Sequence, residues 1–164
     1  MSIVSAMSSF DGRIRRRTYW LASTLWMLAY CIVTIALIEH VSDGRWLDEA
    51  YGTELKSGRD MGFVSLIAGI AFLYPGLTIA WQRLHDMDWT GAWYLPVAAL
   101  AIAYGVLQVA GLTGSLDQET LLGKTFFYAM LGAQLLSIVV LGFVPGTDGD
   151  NQHGANPRAG DRDM

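Results

Sequence analysis

Four long stretches of this 164-residue chain contain no aspartate, glutamate, lysine or arginine. Each is about 20 residues long, and a helix of that length covers about 30 Å, the thickness of the hydrocarbon core of a bilayer. Helices of a soluble bundle carry charged side chains on one face, and none of the four stretches has such a face. The sequence therefore predicts an all-α integral membrane bundle of four transmembrane helices, over residues 19–38, 61–81, 92–112 and 125–144.

The composition is also that of a membrane protein. Hydrophobic residues make up 52% of the chain and charged residues 16%, against about 25% charged residues in soluble domains. The single cysteine, Cys31, excludes an intrachain disulfide. The basic segment before the first stretch could belong to a signal peptide, but Tyr30 is too bulky for a cleavage site and the apolar run continues to Ile38. We therefore expect an uncleaved first helix.

The distribution of basic residues predicts the orientation. Four spans place both termini on one side of the membrane, and seven lysine and arginine residues lie there against four on the other side. This bias favours a cytoplasmic location for the basic segment 1–18 and for the Gly/Asp/Asn-rich tail 145–164. The loop 39–60 is then external, as either a short amphipathic helix on the membrane surface or a solvated loop.

The turn between the second and third spans is the most informative loop, because it contains Arg83, His85 and Asp86. These residues could form a charge-assisted network that holds the turn. They could instead bind an anionic lipid headgroup together with the arginines of segment 13–17, or His85 could act as a general base oriented by Asp86. The chain has three histidines, and His40 falls on the opposite side, so no metal site is expected.

Three motifs resemble those of a known family. An opening motif spans Phe10–Trp20, a central one combines Arg83–Asp86 with Thr90-Gly91, and a closing one spans Pro145–Pro157. In this order and spacing they resemble the domain of unknown function 805 group, small bacterial inner-membrane proteins. The chain departs from that pattern at Met87-Asp88-Trp89, where the family usually has Thr-Gly and a basic residue, and at His153, where it usually has tyrosine.

The resemblance implies a bacterial plasma-membrane protein with four helices and supplies no activity. All three motifs fall on the predicted cytoplasmic side, which suggests that they meet in space. The candidate residues for a lipid-binding, partner-binding or structural network are Gly12, Arg13, Arg15, Arg16, Arg83, His85, Asp86, Gly91 and Asn151.

Three functions are compatible with these features. The first is a structural, scaffolding or regulatory role through a cytoplasmic face that contacts anionic lipids, another membrane protein or a second copy of the chain. The second is a small transporter or channel, which is supported only by the amides Gln108 and Gln134 and by the break at Pro75-Gly76 within the spans. The spans lack the ionisable groups that coupled transport usually needs. The third is a lipid-headgroup enzyme using His85 and Asp86, without any accompanying nucleophile motif. We expect no cofactor, metal or nucleic acid, and assign no catalytic residue.

Overall fold

The structure is a computed structural model that describes residues 3–41, 58–114 and 119–157. Within these residues the regular elements are helices, joined by turns and two isolated β-bridges. The helices are α1 (Ile3–Ser8), α2 (Arg16–Val41), α3 (Gly58–Asp86), a 3₁₀ helix η1 (Gly91–Tyr94), α4 (Leu95–Val109) and α5 (Leu121–Phe143).

The prediction of an all-α fold with four helices that could span a membrane is confirmed. Among the described residues, α2, α3, η1 with α4, and α5 are the helices long and apolar enough to cross a membrane. Their bounds differ from the predicted ones mainly because α2 and α3 continue beyond the charge-free stretches. Most of loop 39–60, including its predicted amphipathic part, lies outside the described residues.

The apolar surfaces of these helices are largely exposed. Between 6% and 28% of each membrane-compatible window is buried inside the protein. Large side chains such as Ile32 and Leu136 are 66% and 64% exposed. Apolar surface on this scale is unfavourable in water. The exposed surface therefore favours a bilayer over the rival soluble bundle.

The chain divides into two compact units. The first comprises Met1–Met27, Leu73–Ala98 and Ala133–Met164, and the second comprises Leu28–Phe72 and Ala99–Gly132. The buried core of the first unit includes Ile14, Tyr19 and Leu84. It joins the start of α2, the end of α3, the end of α5 and the docked helix α1.

The second unit is held by close contacts between neighbouring helices. Tyr30 packs edge-on against Phe72, joining α2 to α3 with ring centroids 5.7 Å apart. Gly62 of α3 lies so close to α4 that a Cβ there would stand 2.8 Å from the Cβ of Gln108. Close approach at small residues is the usual way in which helices associate within lipid.

Candidate functional site

A buried cluster of two arginines and one aspartate lies at the end of α3. The Asp86 carboxylate pairs with Arg13 from the N-terminal segment (Nη2 to Oδ1, 3.2 Å) and with Arg83 one helical turn before it. The exposed fraction is 3% for Arg13, 0% for Arg83 and 1% for Asp86. We call these three residues the arginine–aspartate node. Its formal charge is +1, so the buried charges are only partly balanced by one another.

Oxygen atoms of the tail stabilise the rest of the Arg13 guanidinium by accepting hydrogen bonds from it. Its Nη1 donates to the carbonyl oxygens of Gly149 (2.8 Å) and Gly154 (3.2 Å). Its Nη2 donates to the carbonyl and the hydroxyl oxygen of Thr147, both at 3.0 Å. Charge-assisted hydrogen bonds of this kind are about twice as strong as neutral ones. Arg13 therefore fixes the C-terminal tail to the N-terminal segment.

The last turn of α5 is capped by side chains from the other helices. A helix ends with four carbonyl groups that lack intrahelical partners, and here the acceptors are the carbonyls of residues 141–144. Arg83 donates to the first (Nε, 2.7 Å) and the last of them through Nη2. Trp20 donates to the second at 3.3 Å, and Arg16 to the third at 3.5 Å. Cations at this end also interact favourably with the helix dipole. We call these three side chains the α5 cap.

The end of α3 is held by the tail in a similar way. Thr147 donates through its backbone N–H (2.8 Å) and its hydroxyl (3.1 Å) to the carbonyl of Asp86. The Asn151 amide donates to the carbonyl of His85 at 2.9 Å and to the Thr147 hydroxyl oxygen at 3.0 Å. The Thr147 hydroxyl thus donates once and accepts from both Arg13 and Asn151, its full hydrogen-bonding capacity.

His85 and Asp86 contact different partners. The two carboxylate oxygens of Asp86 face the arginines of the node. His85 Nδ1 lies 3.3 Å from the carbonyl of Gly12, and its ring stacks on that of His153 with centroids 3.8 Å apart. A general base oriented by Asp86, the catalytic alternative from the sequence, is therefore not the arrangement formed.

Three glycines in the motifs occupy positions where a side chain would be sterically unfavourable. Gly12 adopts a φ of +86°, a left-handed conformation that side chains disfavour, where the chain turns toward Arg13. A Cβ at Gly91 would overlap the indole of Trp81, and one at Gly146 would overlap the Asp86 carboxylate. The glycines of the central and closing motifs thus allow close approach to those groups.

Most of the nine candidate residues come together. The central group is Gly12, Arg13, Arg83, His85, Asp86 and Asn151. Arg16 is exposed and belongs to the α5 cap, Arg15 is half-buried, and Gly91 packs on Trp81 rather than on the node.

Sequence reasoning did not assign a hydrogen-bonding role to three residues that hold this site. Thr147 and Trp20 make the contacts described above, and Gln82, fully buried, donates from Nε2 to the carbonyl of Ser9 at the end of α1. Trp20 and Thr147 lie within the opening and closing motifs and Gln82 adjoins Arg83 of the central motif, so position in or beside the motifs was the available signal. Within the described residues, no three histidine, cysteine, aspartate or glutamate side chains gather as a metal would require.

Comparison with known proteins places this site in a family. The model of a family described as "Protein of unknown function (DUF805)" matches residues 7–155, which include every residue of the node and the α5 cap. The chain belongs to the DUF805 family. This confirms the resemblance seen in the three motifs, and the family description specifies no activity.

The DUF805 assignment agrees with two curated relatives. They are the inner membrane proteins YhaI of Escherichia coli strain K12 and of Escherichia coli O157:H7. Each is 23% identical over 160 residues, covering 98% of this chain and 95% of the relative. No solved structure matches the chain.

One departure from the usual DUF805 pattern has a structural consequence. Asp88, which stands where the resemblance implies glycine, has a φ of +61°. The turn therefore has a left-handed conformation at a residue that tolerates it less readily than glycine.

Proposed function

We propose that this DUF805 protein is a scaffold in the bacterial plasma membrane, with both termini in the cytoplasm. In this proposal the node holds the cytoplasmic end rigid, and Arg16 and Arg17 bind anionic phospholipid headgroups. The observation that carries the proposal is the contrast in burial between Arg13 and Arg83, which are enclosed, and Arg16 and Arg17, which are exposed.

Burial divides the arginines into two roles. Arg13 and Arg83 use their guanidinium groups on Asp86 and on backbone carbonyls, so a phosphate would have to displace those contacts. Arg16 makes one bond of 3.5 Å to a carbonyl, although a guanidinium carries five N–H donors. Exposed arginines near an anionic bilayer surface contribute about 1 kcal/mol each to lipid binding.

Aromatic residues support the placement of this end at the headgroup level. Trp20, one turn after Arg16, is partly exposed, and Trp89 and Trp93 in the turn and η1 are also exposed. Amphipathic indoles concentrate at the membrane–water interface. The bonds from Arg13 to Gly149 and Gly154 support a location of the basic segment and the tail on the same side of the membrane, and the bias in lysine and arginine favours the cytoplasm for that side.

The proposal is tested by measuring the headgroup preference of the reconstituted full chain. Purified protein is equilibrated with equal amounts of phosphatidylglycerol and phosphatidylcholine carrying identical chains, and retained lipid is quantified by native mass spectrometry. Wild type should prefer phosphatidylglycerol. Replacing both Arg16 and Arg17 by glutamine should lower that preference by up to roughly 30-fold, the equivalent of about 2 kcal/mol.

A matched control comes from the other end of α5. Lys124→Gln removes one exposed positive charge from the first turn of that helix, and its effect is compared with that of Arg17→Gln alone. Headgroup preference should fall only in the arginine variant. Equal losses in the two variants, or a double arginine variant with the wild-type preference, would contradict the proposal.

A further inference from the structure

A cavity of about 140 Å³ lies within the first unit, between α2, α3 and α5. Its wall includes Trp20, Trp26, Gly76, Tyr94, Gln134 and Ile138, and is mostly apolar. An apolar protein cavity of about 150 Å³ can hold a molecule the size of benzene. The space is therefore sufficient for a short apolar segment of a ligand.

Two polar groups on the wall already have partners within the protein. The Ser23 hydroxyl donates to the carbonyl of Trp20 at 3.3 Å, and the Trp20 indole donates to Gly142. Because the wall is mostly apolar and these two groups are already paired, the cavity favours a hydrocarbon over a charged or strongly hydrogen-bonding ligand.

The cavity adjoins both the lipid-exposed surface and the exposed arginines. Met27, which also lines it, is 54% exposed on α2. Arg16 precedes the cavity-lining Trp20 by four residues, one helical turn along the same face. A phosphate at Arg16 would thus stand about one turn, roughly 5 Å, above the wall of the cavity. The charge at its rim is complementary to an anionic headgroup.

We propose that this cavity takes one acyl chain of an anionic glycerophospholipid whose phosphate lies at Arg16 and Arg17. Bulk lipid is as apolar as the cavity wall, so transfer from water supplies no driving force. The chain instead makes dispersion contacts that an empty space would forfeit, and the headgroup supplies the selectivity. The inference rests on the proposed function, because it assigns the chain of the same lipid.

The test uses the full protein in vesicles containing phosphatidylglycerol with a photoactivatable diazirine in one acyl chain. Crosslinked residues are mapped by peptide mass spectrometry, and phosphatidylcholine with the same chain serves as the comparison lipid. We expect labelling of Met27 and Ile138 in excess over Leu28 and Leu136, which are exposed on the same helices and do not line the cavity.

Two serines provide matched variants. The hydroxyls of Ser23 and Ser137 each donate to a carbonyl of their own helix, but only Ser23 lines the cavity. Ser23→Leu should abolish the excess labelling by filling the space, and Ser137→Leu should leave it unchanged. If Ser23→Leu does not fold, the labelling pattern of the wild-type protein still tests the acyl-chain site, because that measurement needs no variant.

The outcomes separate the two proposals. Uniform labelling of exposed residues along α2 and α5, with phosphatidylglycerol still preferred, would overturn the acyl-chain site and leave the proposed function standing. Equal labelling of the cavity by both lipids would overturn the proposed function, and with it the assignment of an anionic lipid. Excess labelling of the cavity residues by phosphatidylglycerol that is lost in Ser23→Leu supports both the acyl-chain site and the proposed function.

Discussion

Replacing Asp86 by asparagine is the most severe test of the arginine–aspartate node. The change keeps the size of the side chain but raises the formal charge of the node from +1 to +2, because Arg13 and Arg83 lose their shared carboxylate. Removing one partner of a buried ion pair costs about 3–5 kcal/mol. Since this carboxylate serves two arginines, we expect a loss near the upper end, about 4–5 kcal/mol.

Arg13→Met provides the contrasting perturbation. It leaves Asp86 paired with Arg83 and lowers the formal charge of the node to zero, but it removes the bonds that hold the tail. We expect a smaller loss, about 3 kcal/mol, mostly from detachment of the tail. The double variant Arg13→Met/Asp86→Asn returns the charge to +1, so it should be no less stable than Asp86→Asn alone.

The measurements are the thermal midpoint of the protein in detergent and the rate of proteolysis within the tail. A loss of about 4–5 kcal/mol corresponds to a midpoint lower by about 10 °C or more for a chain of this length. Asp86→Asn should show the larger shift, and both single variants should expose the tail to protease. Strictly additive shifts in the double variant, or a shift of under about 2 °C in Asp86→Asn, would refute the electrostatic account.

Three backbone positions give further predictions. Gly146→Ala places a methyl group against the Asp86 carboxylate and should expose the tail to protease, whereas Gly132→Ala, with open space around it, should raise the thermal midpoint slightly. Asp88→Val should be about 1–2 kcal/mol less stable than Asp88→Gly, because the φ of +61° disfavours a β-branched residue. Equal thermal midpoints for those two Asp88 variants would contradict the role given to that turn.

The membrane-spanning helices could be predicted from sequence because the bilayer imposes a length and excludes charge. Absence of charge over about 20 residues is a strong signal that does not depend on tertiary contacts. The ends of the helices were less predictable. Polar residues such as Gln82 and Arg83 continue α3 beyond its charge-free stretch, since the first unit offers them hydrogen-bond partners that the local sequence does not reveal.

The convergence of the three motifs was predicted through the family resemblance, but the roles of individual arginines were not. Arg13 and Arg16 are three residues apart in the same basic segment, and both were candidates for lipid or partner binding. Their difference arises because the chain turns at Gly12 and α2 begins at Arg16. Arg13 therefore enters the node, whereas Arg16 remains on the exposed surface of a helix.

The α5 cap joins motifs that lie far apart in the sequence. Many helices end at a glycine, and backbone N–H groups beside that glycine donate to the last carbonyls of the helix. In α5 the donors are instead the side chains of Arg83 from α3 and of Trp20 and Arg16 from α2. Separating α5 from α2 and α3 would remove these side-chain donors from its last carbonyls, which have no partners within the helix. The same hydrogen bonds thus terminate α5 and join it to α2 and α3. Arg13 and Asp86 connect the tail to these helices.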